Sequence, residues 1–455
     1  MRGRTRTGLL VVVLLLAIGD PGAPAAYALQ CAPDGIPSPV RTSCPGCLLA
    51  GAATVEIPLP EGVPLAGYGG LRRRLLIPDI LNRHPYAFWL KPSEGTHLPI
   101  KARALVLERE DVRLLWVAVD LVGVDPGLVR ELKSRLAEAG FRYTAVVVAA
   151  SHTHSGPGAY SRSGLFSLFA LDRYNPEIAD CLVSAMVRAA RQAEARKVPA
   201  RVGGGSGKVV GIGKSRVALP LDPEVGVLKV VGQDGAPVAV LWNYAIHGTA
   251  LGKANRRLSG DVMGVASERL ERALGAPALY ANGAVGDVSP AVHGLGGAEQ
   301  AGEALAREVL DVWGRVSVKP GARLLAVVQP LSLPPPHLAV RNCLGRWVPR
   351  WITLSLGWAM PRASEMVGVV VGSEAWVTIP GELQTRLGLA VKAEGRRFFR
   401  RTFVVGLAND YVGYFLTRGE YHRVDYIACA SLYGRTAGEI LAERAKAILR
   451  RLAGS

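Results

Sequence analysis

No second Cys-x-x-Cys follows Cys44-Pro45-Gly46-Cys47 in this chain of 455 residues and 6 cysteines, and no thioredoxin-like pattern surrounds it. A zinc ribbon or a redox dithiol is therefore disfavoured, and the pair reads as a local structural disulfide. Cys31 lies in the same Pro/Gly-rich surroundings, whereas the dispersed Cys181, Cys343 and Cys429 read as small buried hydrophobes. No Asp-rich loop suggests a calcium site, and there is no repeat or low-complexity tract. Acidic residues are in short supply: 37 against 54 Lys and Arg, a net charge of +17. The basic clusters at 72–74, 396–401 and 450–451 are scattered rather than gathered into a stripe, which excludes nucleic acid as a partner. An anionic lipid surface accounts for the excess charge, and so do ordinary solvated faces.

The N-terminus has the layout of an export signal. Arg2, Arg4 and Arg6 precede an apolar run at 9–18 and the small-x-small site Ala26-Tyr27-Ala28. The run is about half of the roughly 20 residues a spanning helix needs. Residues 1–28 are thus expected to be cleaved, giving a periplasmic, secreted or outer-surface protein, peripheral on a membrane at most. A retained anchor or a lipidated Cys31 are the alternatives. Residues 29–50 read as a leader segment and 51–455 as one domain, whose 49% hydrophobic content suffices for a large core.

Along that domain strand-like and helix-like runs alternate. Strands are expected at 103–108, 112–121, 143–150, 224–231, 237–246, 277–281, 324–329 and through 367–379. Helices are expected at 126–140, 176–197, 261–274, 298–316, 382–394 and 437–452. Continuous interleaving predicts one mixed-sheet α/β unit. The stretch 334–361 breaks the pattern, with Pro334-Pro335-Pro336 and then Trp347, Trp351 and Trp358 among arginines. Two readings fit it: tryptophans at a membrane interface, or a lid packed on the core.

The string Ser151-His152-Thr153-His154-Ser155-Gly156-Pro157 follows an apolar strand. Positions i and i+2 on a strand share a face, so both imidazoles can reach one site at its carboxyl end. A second strand ends in His247 and a third in Pro380-Gly381-Glu382, a carboxylate at the start of a helix. Two imidazoles and a carboxylate on three strand ends suit a catalytic zinc site with a position open to water. Between them, Gly286-Asp287-Val288-Ser289-Pro290 forms a glycine-rich turn that exposes Asp287 and Ser289. It reads either as a donor to an oxyanion or as a capping turn.

Taken in order, His152-Thr153-His154-Ser155-Gly156-Pro157, the strand ending in His247, Gly286-Asp287-Val288-Ser289-Pro290, Pro380-Gly381-Glu382 and Tyr414…Tyr426…Leu432-Tyr433-Gly434 resemble the catalytic domain of the neutral/alkaline non-lysosomal ceramidases. Gly67-Tyr68-Gly69-Gly70 and 95–105 look like that family's opening, and the resemblance spans roughly residues 50–445. It implies Zn2+ held by His152, His247, Glu382 and Tyr414, with His154 beside the metal. It further implies Ser289 as the catalytic serine, Tyr426 at the scissile amide and, through a weaker match, Arg216 on the substrate. The implied reaction is hydrolysis of the N-acyl amide of ceramide or a related N-acyl lipid. The alternatives are a zinc hydrolase of a peptide or cell-wall amide, and a non-catalytic membrane-associated binding module. The chain departs from the family at Ala291, where asparagine is usual, and at 72–92 and 334–361. It is also expected to lack the family's C-terminal immunoglobulin-like domain.

Overall fold

A computed structural model describes Cys31, Cys44 and residues 46–455. The export signal assigned to 1–28 lies outside the described residues. Among those described, no helix is long and apolar enough to cross a membrane.

Eight strands form the larger sheet: β1 (Leu48–Glu56), β2 (Lys101–Arg109), β3 (Val112–Val119), β4 (Ala145–Ala150), β5 (Val198–Lys208), β6 (Glu224–Gly232), β7 (Pro237–Tyr244) and β8 (Ala278–Asn282). Their order is β4-β3-β2-β1-β5-β6-β7-β8. Only the outer pairs β3–β4 and β7–β8 are parallel. Four more strands, β9 (Leu324–Ser332), β10 (Ala363–Val371), β11 (Glu374–Thr378) and β12 (Arg401–Val405), form a second sheet that is antiparallel except for the pair β11–β12. The mixed-sheet α/β reading holds.

Six helices cover the outer faces: α1 (Pro126–Glu138), α2 (Pro176–Ala195), α3 (Asp261–Leu274), α4 (Gly294–Arg315), α5 (Thr385–Gly395) and α6 (Ala437–Ala453). The first two begin as the sequence predicts. Asp125 and Asn175 accept hydrogen bonds from the first free backbone N–H groups, and Pro126 and Pro176 take the position where a missing N–H costs nothing.

Strand alternation builds the layers. On β3, Leu115, Val117 and Val119 face α1 and α2, while Leu114, Trp116 and Ala118 face the second sheet. There they meet Val367, Val369, Trp376 and Phe403, and Trp116 packs edge-on to Trp376 at 5.6 Å. Each such fully buried side chain contributes roughly 1.5–3 kcal/mol of transfer free energy. Helices α3 and α4 cover β6–β8, and α5 and α6 cover the far side of the second sheet. The architecture is helix, sheet, sheet, helix.

Cysteine pairing departs from the sequence reading. Cys44–Cys47 form the expected local disulfide, but Cys181 and Cys343 are not isolated hydrophobes: Cys181 bonds Cys31, and Cys343 bonds Cys429. Sequence separations of 150 and 86 residues hid both pairs from inspection. In the stretch 334–361, Trp347, Trp351 and Trp358 all stand in solvent, so they do not pack a lid onto the core.

Candidate active site

Strands β4 and β7 run in nominally opposite directions along the sheet, yet their carboxyl ends meet. Steps of about 20–25° between neighbouring strands accumulate over the sheet until β4 lies against β8 across its inner face. Asn282, where β8 ends, stitches the junction: its amide donates to the carbonyls of Ser151 and Ile246, at 3.2 and 3.1 Å. His154 N bonds Gly248 O at 2.8 Å and Gly248 N bonds His152 O at 3.1 Å.

The two histidines of the H-x-H string are not presented by strand pleat, because β4 stops at Ala150. His152 takes a left-handed backbone, φ 70°, uncommon for a residue with a Cβ, and the turn after the strand aims its ring inward. Glu382 also differs from expectation. It sits in a two-residue strand paired with Tyr414–Phe415, and helix α5 begins only at Thr385. That short parallel ladder places the carboxylate opposite the Tyr414 phenol.

The result is a buried cluster. His152 Nε2 lies 3.4 Å from Glu382 Oε1, His247 Nε2 lies 2.9 Å from Glu382 Oε2, and His247 Nε2 lies 3.3 Å from Tyr414 Oη. A tetrahedral metal with bonds of about 2.0–2.2 Å needs ligand atoms roughly 3.3–3.6 Å apart; the 3.4 and 3.3 Å spacings fall in that range, and the 2.9 Å contact of His247 with Glu382 has to open slightly for one ion to sit among the four donors. His152 Nδ1 faces the Val122 carbonyl at 2.5 Å; as the donor to that carbonyl, it leaves the Nε2 lone pair for a metal. His152 Nε2 and both ring nitrogens of His154 are buried without a hydrogen-bond partner, a state a bound cation would relieve. A second donor set is present: ligand nitrogens of His152, His154 and His247 all fall within 4.8 Å of one another.

Electrostatics favour the ligand-competent forms. Burial opposes charge on Glu382, but His152 and His247 outweigh it and hold the carboxyl well below the usual range. Burial first, then Arg216 and His152, lowers His247 to about 3, and burial with His152 and His247 pushes His154 down. Burial and the neighbouring Glu382 drive the Tyr414 phenol upward, which a coordinated cation would reverse. Neutral imidazoles facing an ionised carboxylate are what a divalent metal requires.

Beside this cluster, 213–215 pairs with 288–290, and Arg216 N bonds Asp287 O at 2.8 Å. Arg216 is thereby aimed at the site: Nε donates to Ser289 Oγ at 2.7 Å and an η-nitrogen to Tyr414 Oη at 3.3 Å. Its guanidinium also lies 5.2 Å from the Tyr426 ring centre. Tyr426, 58% exposed, crosses Tyr414 edge-on and forms the outer wall. Asp287 is buried rather than exposed, because its Oδ1 accepts from the backbone N and hydroxyl of Thr385 at 2.8 and 2.6 Å. It anchors the start of α5, so the turn caps a helix through Asp287 and serves the site through Ser289.

Three contributors had no role in the site assigned from the sequence, although Gly67 and Tyr68 belong to the family-like opening at 67–70. Tyr411 donates to Glu382 Oε1 at 2.8 Å, its only sequence signal being its place three residues before Tyr414. Tyr68 lays its ring against His154 at 4.8 Å. Gly67, at φ 92°, lies where a Cβ would fall 2.4 Å from His154 Nδ1, so only glycine leaves room for that imidazole.

Residues 82–306 match the family model described as neutral/alkaline non-lysosomal ceramidase, N-terminal. Across these residues, about half of its length, the chain belongs to this ceramidase family. The neutral ceramidase of Pseudomonas aeruginosa is 28% identical over 227 residues, covering 45% of this chain and 34% of that protein. The Mycobacterium tuberculosis neutral ceramidase is 28% identical over 234 residues, covering 44% and 36%. The match therefore spans about a third of the length of these relatives. The crystal structure of the Pseudomonas aeruginosa neutral ceramidase superposes with a TM-score of 0.76 at 20% identity, over 90% of this chain and 75% of that one. A ceramidase complexed with C2 superposes equally well, with a TM-score of 0.76 at 19% identity. Within this ceramidase-family chain, the region matched by the family model contains His152, His154, Arg216, His247 and Ser289. Glu382, Tyr414 and Tyr426 join them only through the fold.

Proposed function

We propose that this chain hydrolyses the N-acyl amide of ceramide or a related N-acyl lipid, releasing a sphingoid base and a fatty acid, with zinc held by His152, His247, Glu382 and Tyr414. The observation that carries this reading is the buried convergence of two imidazoles, a carboxylate and a phenol at 2.9–3.4 Å, in a chain of the ceramidase family. Zinc bound there would lower the pKa of a water to about 7 and polarise the acyl carbonyl as a Lewis acid.

The chain's own groups supply the rest. Tyr411 fixes the carboxylate of Glu382, and the Val122 carbonyl fixes the ring of His152. His154, without a partner at either ring nitrogen, is free to carry a proton toward the departing amine. Ser289 Oγ accepts from Arg216, which leaves its hydroxyl hydrogen available to a substrate carbonyl, and the guanidinium faces the negative charge that develops there. Tyr426, on the open side, meets the amide as it enters. The three disulfides suit the oxidising compartment that an export signal implies.

Purified protein given a fluorescent ceramide should release fatty acid, lose nearly all turnover on dialysis against a chelator, and regain it with zinc. Zinc-replete protein that turns over no N-acyl lipid would discard the lipid reading.

A further inference from the structure

Away from the catalytic cluster, a cavity of about 440 Å3 opens beside the strand pair 337–339 and 353–355 and the chain from Tyr421 to Thr436. Its charged lining is all of one sign: Arg341, Arg350 and Arg435, with His337 and His422. Arg341 is fixed by donating to the carbonyls of Arg346 and Val348 at 2.6 and 2.9 Å, and its Nε is buried without a partner. Arg350 and Arg435 are exposed, and among the described residues no carboxylate pairs with any of the three. Burial, and then Arg350, Arg435 and Arg341, push the His422 imidazole below its ordinary value, so the three guanidinium groups act on one place.

The same segment carries an apolar exposure. Trp347, Trp351 and Trp358 are 76%, 80% and 81% exposed, and Leu354 beside them is 56% exposed. Three indoles left in water on the chain segment that also lines a cationic hollow match the two halves of a lipid interface: amphipathic rings at headgroup depth, and arginines that fork onto phosphate oxygens. The segment is also tied to the site. Cys343 bonds Cys429, at the end of the short helix Tyr426–Cys429 that begins at the catalytic wall.

We infer that this cavity receives the phosphate of an anionic lipid headgroup, with the three tryptophans seated in the interface beside it, so that the catalytic mouth is held against a bilayer. That the bilayer also presents the substrate rests on the hydrolytic reading; the seating does not. The net charge of +17 adds a long-range attraction of the same sign.

Vesicle sedimentation with tryptophan fluorescence tests this without any turnover, so a failure here is distinct from a failure of the hydrolytic reading. The protein should bind vesicles of equal parts phosphatidylcholine and phosphatidylglycerol, with a blue-shifted emission, and should bind pure phosphatidylcholine far less. The double variant Arg350→Ser, Arg435→Ser should weaken binding about 30-fold, at about 1 kcal/mol for each cation near the surface. The triple variant Trp347→Ala, Trp351→Ala, Trp358→Ala should lose the shift. Equal binding to both vesicle types overturns the inference. So does saturable binding of inorganic phosphate at this cavity with no vesicle attachment, which would assign it to a free anion. Unchanged binding in both variants, with loss instead in Leu76→Ser, Ile77→Ser on the exposed stretch 72–92, would place the seat elsewhere and overturn it too.

Discussion

Exchanging Glu382 for glutamine should lower zinc from about one ion per chain to near zero and cut turnover by at least ~10³-fold, since a metal supplies several kcal/mol of transition-state stabilisation. The swap preserves volume, so the buried packing around Leu383 and Phe415 survives. His154→Ala should behave differently. It removes an imidazole that touches the cluster without belonging to the four donors, so zinc should stay bound while the rate falls by about 10²–10⁴, the range of a lost general acid–base. This pair of variants separates the two donor sets in the cluster. If the ion sat among His152, His154 and His247, His154→Ala would release zinc and Glu382→Gln would retain it. Metal analysis of both proteins decides.

Arg216→Ala should reduce kcat by about 10²–10³ with zinc content unchanged, the cost of removing one preorganised donor to a developing oxyanion. Two adjacent groups lose their anchor at once, because Ser289 Oγ and Tyr414 Oη bond different nitrogens of this guanidinium. Lysine should not rescue it, since a single ammonium cannot reproduce the planar fork. Ser289→Ala should fall in the same range, and the double variant should be little worse than either single one, as expected for residues acting as a unit. A kcat within threefold of the parent in Arg216→Ala would remove this arginine from the chemistry.

The site was legible where a motif carried its own local geometry. His152, His247 and Glu382 each follow an apolar strand, and chain-end chemistry at strand termini is a pattern visible without coordinates. Tyr414, Tyr426 and Arg216 entered only through family resemblance, because nothing in their spacing announces a shared pocket. Their meeting depends on two ladders of two or three residues, Glu382–Leu383 with Tyr414–Phe415 and 213–215 with 288–290. Such short pairings leave no periodic trace.

The fold shows the same division. Strands rich in Val and Leu, such as β3, β4 and β7, were readable, and so were the helices that begin at Pro126 and Pro176. Strand β5 was not read, because Gly203-Gly204-Gly205-Ser206-Gly207 has almost no strand propensity. The glycines are there for close approach: a Cβ on Gly203 would fall 2.2 Å from the Ser317 carbonyl, just past the end of α4. Packing between distant segments chose those residues. Strand β1, with Ala50-Gly51-Ala52-Ala53 at its centre, was hidden for the same reason, since Gly51 lies against the end of α2.

The measurement that bears most directly on the metal centre is anomalous X-ray diffraction at the zinc edge from crystals of the zinc-loaded chain. A single peak is expected within about 2.0–2.2 Å of His152 Nε2, His247 Nε2, a Glu382 oxygen and Tyr414 Oη, with His154 outside bonding distance. A peak ligated by His154 in place of Glu382 and Tyr414, or no peak in this cluster, would contradict this ligand set.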